Sequence, residues 1–483
     1  MWFSFVFQLA FSFYVLGANL VNVNWIVLTM VALAIWNMWA LSSLVNSFSF
    51  RPGEVFIRLF LVWHLFIPGA VQWSTNRFFW KPNAYSDDDA TIAVVIILVA
   101  VLGLEWGFRL FCEIETPRAQ RQRPPLLSNK SIVIFTIMSL ISLSISIYRF
   151  GTEFLLATRG TIDNIVDLST TEQYENVVFL AIPRSIAFCA FAIALLNMVT
   201  LRHARQETLF TYIGCFVLFI PYIVLNLPTS LARFETMGQL IILVYIIFFF
   251  RMRRLNIVYI FAYPLALYSI LPFLGVFSRY QEFEWNRAYN TFVSGINDSV
   301  YAGDYTDFEM TMITAQYVAS EGIRMGQQIL ATLLFFLPRS IFVFKADPTA
   351  FILADFSGFE FRNISSPFFA EFYMDFWFPG AFVGSFLFAF AAKNLQRRIR
   401  PSYGFYALPP MGLLAFLPII LRGSMLAVIG FVVVVPASFM LLLGIHRIWG
   451  VDDYGAAQGA LRLRAHVPPH FHAMRKGSEK VRF

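Results

Sequence analysis

Long apolar runs alternate with short polar connections along this chain, and that alternation constrains its fold more than any motif. A helix that crosses a bilayer needs about 20 mostly apolar residues, because about 1.5 Å of rise per residue must cover about 30 Å of hydrocarbon. Twelve stretches qualify, at roughly 2–22, 24–45, 55–74, 91–112, 131–150, 177–200, 208–226, 235–250, 257–277, 372–392, 403–421 and 424–445. The expected fold is therefore an all-α polytopic membrane protein of about twelve transmembrane helices. Composition agrees: 58% of the 483 residues are hydrophobic, 13% are charged and 56 are Phe. A soluble domain carries roughly 25% charged residues, so a soluble globular protein is excluded. So much apolar content also excludes a disordered chain. The first segment lacks a basic leader and runs straight into the second, which reads as a span and not a cleavable signal.

Lys and Arg in the short loops set the orientation. With the N-terminus inside, the cytoplasmic connections hold Arg51; Arg118, Arg121, Arg123 and Lys130; Arg202 and Arg205; Arg251, Arg253 and Arg254; and Lys393, Arg397, Arg398 and Arg400. The opposite face holds most of the acids, including Asp87, Asp88, Asp89, Glu153, Asp163 and Asp167. Both termini are then cytoplasmic. The net charge of +7 orients the chain and touches anionic lipid, and no nucleic-acid partner is needed to explain it.

Four regions follow: helices one to nine over 1–278, with a moderate outer loop at 151–176; a large outer loop at 279–371; helices ten to twelve over 372–446; and a basic cytoplasmic tail at 447–483. A loop of some ninety residues is usually functional or disordered, and this one is rich in aromatic residues and not of low complexity. Its run QQILATLLFFL (327–337) is too short to span and reads as an interfacial or re-entrant helix.

Charges inside apolar segments cost about 2.5–3.5 kcal/mol each, even on the lenient insertion scale. Glu54 with Arg58, and Glu105 with Arg109, stand at i,i+4 spacing near the cytoplasmic boundary and read as structural ion pairs or snorkelling side chains. His64, at the middle of the third segment, reads as a buried, hydrogen-bonded histidine. Arg184 is different. It lies about 10 Å into the sixth segment, after Pro183, with no acid at i±3 or i±4. Arg159, Arg233, Arg339 and Arg422 fall at the outer ends of segments or in outer loops, and Lys345 follows Arg339 by six residues. Guanidinium forks match phosphate oxygens. The group suggests an outward-opening site for an anionic head group at lipid depth, against the ordinary alternative of loop salt bridges.

The six histidines are 64, 203, 446, 466, 470 and 472, and none lies in an outer loop. Base candidates on that face are therefore carboxylates. Glu371 and Asp375 share a helical face where the tenth helix begins, and Asp304, Asp307 and Glu309 form a second acid group. A solvated acid face is the plain alternative for both. No GxSxG, Walker A, HExxH or CxxC motif occurs, and Cys112, Cys189 and Cys215 sit in apolar stretches. No metal site or cofactor is expected. The sequons at Asn297 and Asn363 are chance-level patterns, and His466, His470 and His472 are too loosely spaced for a metal site.

The stretches GDYTDFEM (303–310), MGQQILATLLFFLPRSIFVFKADP (325–348) and NISSPFFAEFYMDFWFPGAFVG (363–384) resemble the Wzy-type bacterial oligosaccharide repeat unit polymerases, the O-antigen polymerases. NLPTSLARFE (226–235) and RGSM (422–425) look like two further stations of that family. The likeness covers roughly 220–430; the N-terminal half agrees only in topology. It implies a GT-C-like glycosyltransferase of the bacterial inner membrane. Such an enzyme would transfer a glycan chain from undecaprenyl pyrophosphate to a new lipid-linked repeat unit on the periplasmic side, producing O-antigen, capsule or exopolysaccharide. It would use no metal or nucleotide sugar. Its partners would be the undecaprenyl-pyrophosphate-linked oligosaccharide, membrane lipids, and a chain-length regulator and flippase of the same pathway.

The resemblance implies roles for particular residues. Arg184, Arg233, Arg339 and Arg422 would hold the pyrophosphates, with Arg339 stabilising the leaving group. Arg159, Lys345 and Asp375 would join in substrate binding, and Glu371 would be the base. The aromatic stretch 280–308 would stack on sugar rings. One departure stands out: Trp377 and Phe378 occupy a place where the family pattern leads us to expect a glycine. Three other readings remain: a lipid-linked oligosaccharide flippase or transporter, an O-antigen ligase, and a non-catalytic assembly protein of an export machine. The first leaves the large outer loop and the lack of internal repeats unexplained. The second would resemble a family with a histidine in that loop.

Overall fold

The computed structural model describes residues 1–17, 19–45, 50–81, 85–110, 126–152, 173–228, 230–270, 286, 289, 299–362 and 364–449. Arg159, Cys112, Asn297, Asn363, the stretch 280–285, most of 287–298 and the tail beyond Trp449 lie outside the described residues. So does most of the outer loop at 151–176. Among the described residues the secondary structure is helical, with no strand.

Sixteen helices carry the description: α1 (Trp2–Gly17), α2 (Trp25–Val45), α3 (Pro52–Thr75), α4 (Asp87–Arg109), α5 (Asn129–Phe150), α6 (Gln173–Ala204), α7 (Leu209–Leu225), α8 (Arg233–Ile247), α9 (Met252–Leu265), α10 (Asp307–Glu321), α11 (Gln327–Leu333), α12 (Thr349–Ser357), α13 (Phe368–Gln396), α14 (Leu408–Ala415), α15 (Leu417–Arg422) and α16 (Met425–Trp449). Among the described residues, eight stretches are long and apolar enough to cross a membrane: α2, α3, α4, α5, 180–204 of α6, α13, 401–422 and α16. Three other expected spans are helical but shorter, at 16 residues in α1, 17 in α7 and 15 in α8, and the described part of the fourth is the 14 residues of α9 with the π segment that follows. A chain in hydrocarbon must pair its backbone amides internally, which is why each apolar run closes into a helix.

Local chemistry sets the helix ends. Pro52 opens α3, where its missing N–H costs nothing. Ser86 caps α4 by accepting the Asp89 amide while Asp89 accepts the Ser86 amide, a reciprocal capping box. Ser128 and Thr208 cap α5 and α7 in the simpler way.

α3 is almost wholly buried, whereas α5 shows most of its surface. Polar residues on α3 therefore face protein, and this explains why Arg58, His64 and Gln72 are tolerated there. Over Leu61–Phe66 this helix widens to a π-helix. Pro68 has no N–H to return to the His64 carbonyl, and Ile67 bonds instead to Val62. A second π segment, Ala266–Ile270, continues α9 just after Pro264.

α4 and α13 approach closely through glycines. A Cβ at Gly103 would collide with the Phe382 carbonyl, and one at Gly107 would sit 2.6 Å from the Phe386 carbonyl. Small residues four apart allow this backbone-to-backbone packing between membrane helices. α13 is itself broken. Phe376 and Trp377 leave the helical region, with Trp377 at φ 60° and ψ −150°. The freed Met374 carbonyl accepts the Arg324 amide at 2.9 Å.

Two sequence expectations change here. The run 327–337 is helical only to Leu333, with turns beyond. Pro338 and the Lys345 ammonium, which takes the Phe335 and Leu337 carbonyls at 2.6 and 2.9 Å, favour that early end. The two expected i,i+4 pairs are one network. Arg58 bonds Glu54 on its own helix (3.0 Å), Glu105 on α4 (2.6 Å) and Asn37 on α2 (3.1 Å), and Arg109 joins Glu105 at 3.6 Å.

Candidate functional site

Hydrogen bonds and ion pairs gather described residues that precede or open α4, α8, α10 and α16 at one end of the bundle. Two 3₁₀ turns, Ser299–Tyr301 and Gly303–Tyr305, lead from 299 into α10. Gln72 on α3 donates to the carbonyls of Val300 (2.6 Å) and Tyr305 (2.8 Å) and so fixes the stretch before α10.

The acids of GDYTDFEM have three separate environments. Glu309 is buried and accepts the amides of Phe79, Trp80 and Lys81 at 2.9–3.2 Å and the Tyr85 hydroxyl at 2.8 Å. Burial pushes its carboxyl up while these donors pull it back. Asp304 is shared between two guanidinium groups. Arg233 Nη1, at the first residue of α8, lies 2.6 Å from Oδ2, and Arg422 Nη2, at the last residue of α15, lies 3.1 Å from Oδ1. Arg422 also donates to the Gly303 carbonyl at 2.8 Å. Asp307 is fully buried, and neither of its carboxyl oxygens has a hydrogen-bond partner among the described residues. Arg422 and Asp304 are its charged neighbours. Burial holds the Asp307 carboxyl well above the usual carboxylate range, with Arg422 opposing.

Aromatic groups close the site from below. His64 Nε2 lies 3.1 Å from the Tyr263 hydroxyl, and its ring stacks on Tyr305, with centroids 5.5 Å apart. Tyr305 stacks in turn on Tyr268 at 5.1 Å. His64 and Tyr268 stand on the two π segments, and Tyr263 immediately precedes Pro264. Such bulges are rare and often accompany functional sites.

The structure brings together some of the expected site residues. Arg184 is buried on α6 beside the 226–235 connection, 3.4 Å from the Ser230 hydroxyl and 4.0 Å from Glu235, and it shares that neighbourhood with Arg233. The Glu371 carboxylate is buried and both its oxygens accept the Met425 amide, at 3.1 and 3.2 Å. Arg422 stands three residues before Met425, and its carbonyl accepts the Ser366 amide at 3.0 Å. Glu371 thus holds the turn that carries Arg422. Asp375 accepts the Gln328 and Ile329 amides and caps α11.

Arg339 is the outlier. Its partners are Asp347 at 2.5 Å and the Lys345 carbonyl, on a segment that exposes Leu333, Phe336, Ile341, Val343 and Phe344. Tyr263 and Tyr268 were not singled out in the sequence, and Tyr305 entered only as part of the aromatic stretch 280–308. The signal for the first two was Pro264, next to Tyr263 and four residues before Tyr268.

No protein-family model, no curated protein and no solved structure matches this chain.

Proposed function

We propose that this chain polymerises undecaprenyl-pyrophosphate-linked oligosaccharide repeat units at the periplasmic face of the bacterial inner membrane. The observation that carries the reading is the shared grip of Arg233 and Arg422 on one carboxylate, at the end of an apolar helical bundle. A carboxylate bridging two guanidinium groups marks a place where phosphate oxygens would be held. The reading includes twelve crossings, a GT-C-like arrangement and both termini in the cytoplasm.

In this reading Arg233 and Arg422, with Arg184 beside them, bind the donor pyrophosphate after displacing Asp304. They stabilise the charge that grows on the leaving group. The acceptor hydroxyl oxygen bonds to the anomeric carbon of the donor chain. That carbon's bond to the pyrophosphate oxygen breaks, and its electron pair leaves with undecaprenyl pyrophosphate. The hydroxyl proton passes to Asp307, whose oxygens have no competing donor among the described residues. Glu371 is then a positioning residue for Arg422 and not the base, and Asp375 positions α11. Arg339 meets lipid-borne substrate on the exposed segment, which the buried Lys345 holds through the Phe335 and Leu337 carbonyls, and Arg159 keeps its expected part in substrate binding.

The test is a gel-resolved glycan ladder from cells lacking the chain, complemented with wild type or Arg422→Ala at equal membrane expression. Long chains restored by wild type, and single lipid-linked repeats left by Arg422→Ala, support the reading. Repeats stranded on the cytoplasmic side would make the chain a flippase. Long chains that never reach their final acceptor would make it a ligase.

A further inference from the structure

A second surface lies beside the arginine site. Glu309 clamps three successive amides, those of Phe79, Trp80 and Lys81, so the backbone of 79–81, between α3 and α4, is fixed. Trp80 lies nearly parallel to Phe359 (5.1 Å, 25°) and to Phe361 (6.3 Å, 14°), and Phe79 stands at right angles to it at 4.8 Å. Trp80 and Phe359 pack on a small core of Met310, Ile313, Leu353 and Ile364, which makes a rigid base. Phe79 and Phe361 project from it, 47% and 57% exposed. The corner abuts the arginine pair: a Cβ at Gly303, next to Asp304, would lie 3.1 Å from the Phe79 ring.

Charged groups surround these rings. Lys81 Nζ lies 5.4 Å from the Phe359 centroid, and Arg77 lies 4.3 Å from that of Tyr301. Asp355 and Arg362, more than half exposed, pair at 2.9 Å beside Phe361. A face buried in hydrocarbon would not carry this many charges. The exposed ridge at 330–344 contrasts with it, being nearly all apolar. Rigid aromatic faces ringed by forked donors and acceptors suit a pyranose ring. The negative ring face attracts sugar C–H groups, and the charged rim bonds the hydroxyls.

We infer that Phe79, Trp80 and Phe361 form a saccharide subsite that holds the glycan of the substrate whose pyrophosphate is bound by Arg233 and Arg422. The identity of that glycan rests on the polymerase reading; the subsite itself rests on the rings and their charged rim.

The test is saturation-transfer NMR on the full chain in nanodiscs. The probes are the repeat-unit oligosaccharide released by mild acid from the host's own surface glycan, and, by titration, inorganic pyrophosphate. Transfer to sugar ring protons is expected in wild type and in Arg233→Ala. In the Phe79→Ser/Phe361→Ser double variant, saccharide affinity should fall about tenfold or more with pyrophosphate binding unchanged, and Phe361→Tyr should retain the sugar signal. Equal transfer in wild type and the serine variant overturns the subsite. So does a spin label at Phe361→Cys that is relaxed by oxygen more than by a water-soluble nickel chelate, because that places the face in lipid. Sugar transfer that persists although the glycan ladder contradicts polymerisation leaves the subsite standing and removes the polymerase reading alone.

Discussion

Arg233 and Asp304, 71 positions apart, lie 2.6 Å apart and join the start of α8 to the stretch that leads into α10. The same carboxylate reaches Arg422 on α15, so one acid holds two guanidinium groups at a fixed separation. In the proposed function Asp304 occupies the place that a pyrophosphate would take. Asp304→Asn should therefore tighten inorganic pyrophosphate binding to the full chain by about tenfold, because the ligand no longer displaces a charge. Titration calorimetry reads this. Unchanged or weaker binding would mean that Asp304 organises the arginines and does not compete for them.

Glu371 and Asp307 should separate cleanly. Glu371→Gln keeps an acceptor for the Met425 amide and should retain most activity. Glu371→Leu leaves that amide unpaired and should cost about 1–3 kcal/mol of stability, read as a fall in thermal midpoint. Asp307→Asn should lower turnover about 10²–10⁴-fold with the midpoint preserved. Full loss of turnover in Glu371→Gln would return the base role to Glu371.

The pH profile follows from the same carboxyl. Asp307 accepts the proton only when ionised, and burial raises its pKa above the usual range. Turnover should be full above that raised value and should fall as pH drops through it. The acid limb should vanish in Asp307→Asn, whose residual rate should be flat over the same range. An acid limb that persists in this variant would assign the titration to another group.

Trp377 offers a test of backbone strain. Its φ of 60° and ψ of −150° lie where residues other than glycine cost about 1–3 kcal/mol, and its side chain is 52% exposed. Trp377→Gly and Trp377→Ala both lose the ring contact with Phe378, but only the glycine relieves the backbone. The glycine variant should therefore melt at or above the alanine variant. A lower midpoint for glycine would mean that the conformation carries no strain.

The α4–α13 contact predicts a contrast between glycines. Gly103→Leu drives a side chain into the Phe382 backbone and should destabilise by about 1–3 kcal/mol or more. Gly430→Ala on α16 has nothing within 4 Å of its new Cβ and should stay within about 0.5 kcal/mol of wild type. Equal midpoints would contradict the close packing.

The helical fold was legible because hydrophobicity over about 20 residues is a local signal. Its pairing was not. Glu54–Arg58 and Glu105–Arg109 read as separate i,i+4 pairs, yet Arg58 reaches across to α4, which no sequence spacing encodes. Arg233 and Arg422 stood out in the sequence as arginines at the ends of apolar segments, but their meeting on Asp304 depends on how three connections fold together. Glu371 drew attention by its spacing from Asp375, whereas its bond to the Met425 amide depends on where the turn before α16 falls against α13. The two π segments were within reach, since Pro68 and Pro264 must each leave a carbonyl without its helical donor.

The most direct measurement is reconstitution of the purified chain in proteoliposomes with undecaprenyl-pyrophosphate-linked repeat units as the only sugar source. Glycan length and released undecaprenyl pyrophosphate are followed together. Wild type should build chains longer than one repeat and release one lipid pyrophosphate per linkage, and Arg422→Ala should do neither. No chain growth by wild type, or equal growth by Arg422→Ala, would contradict the proposed function.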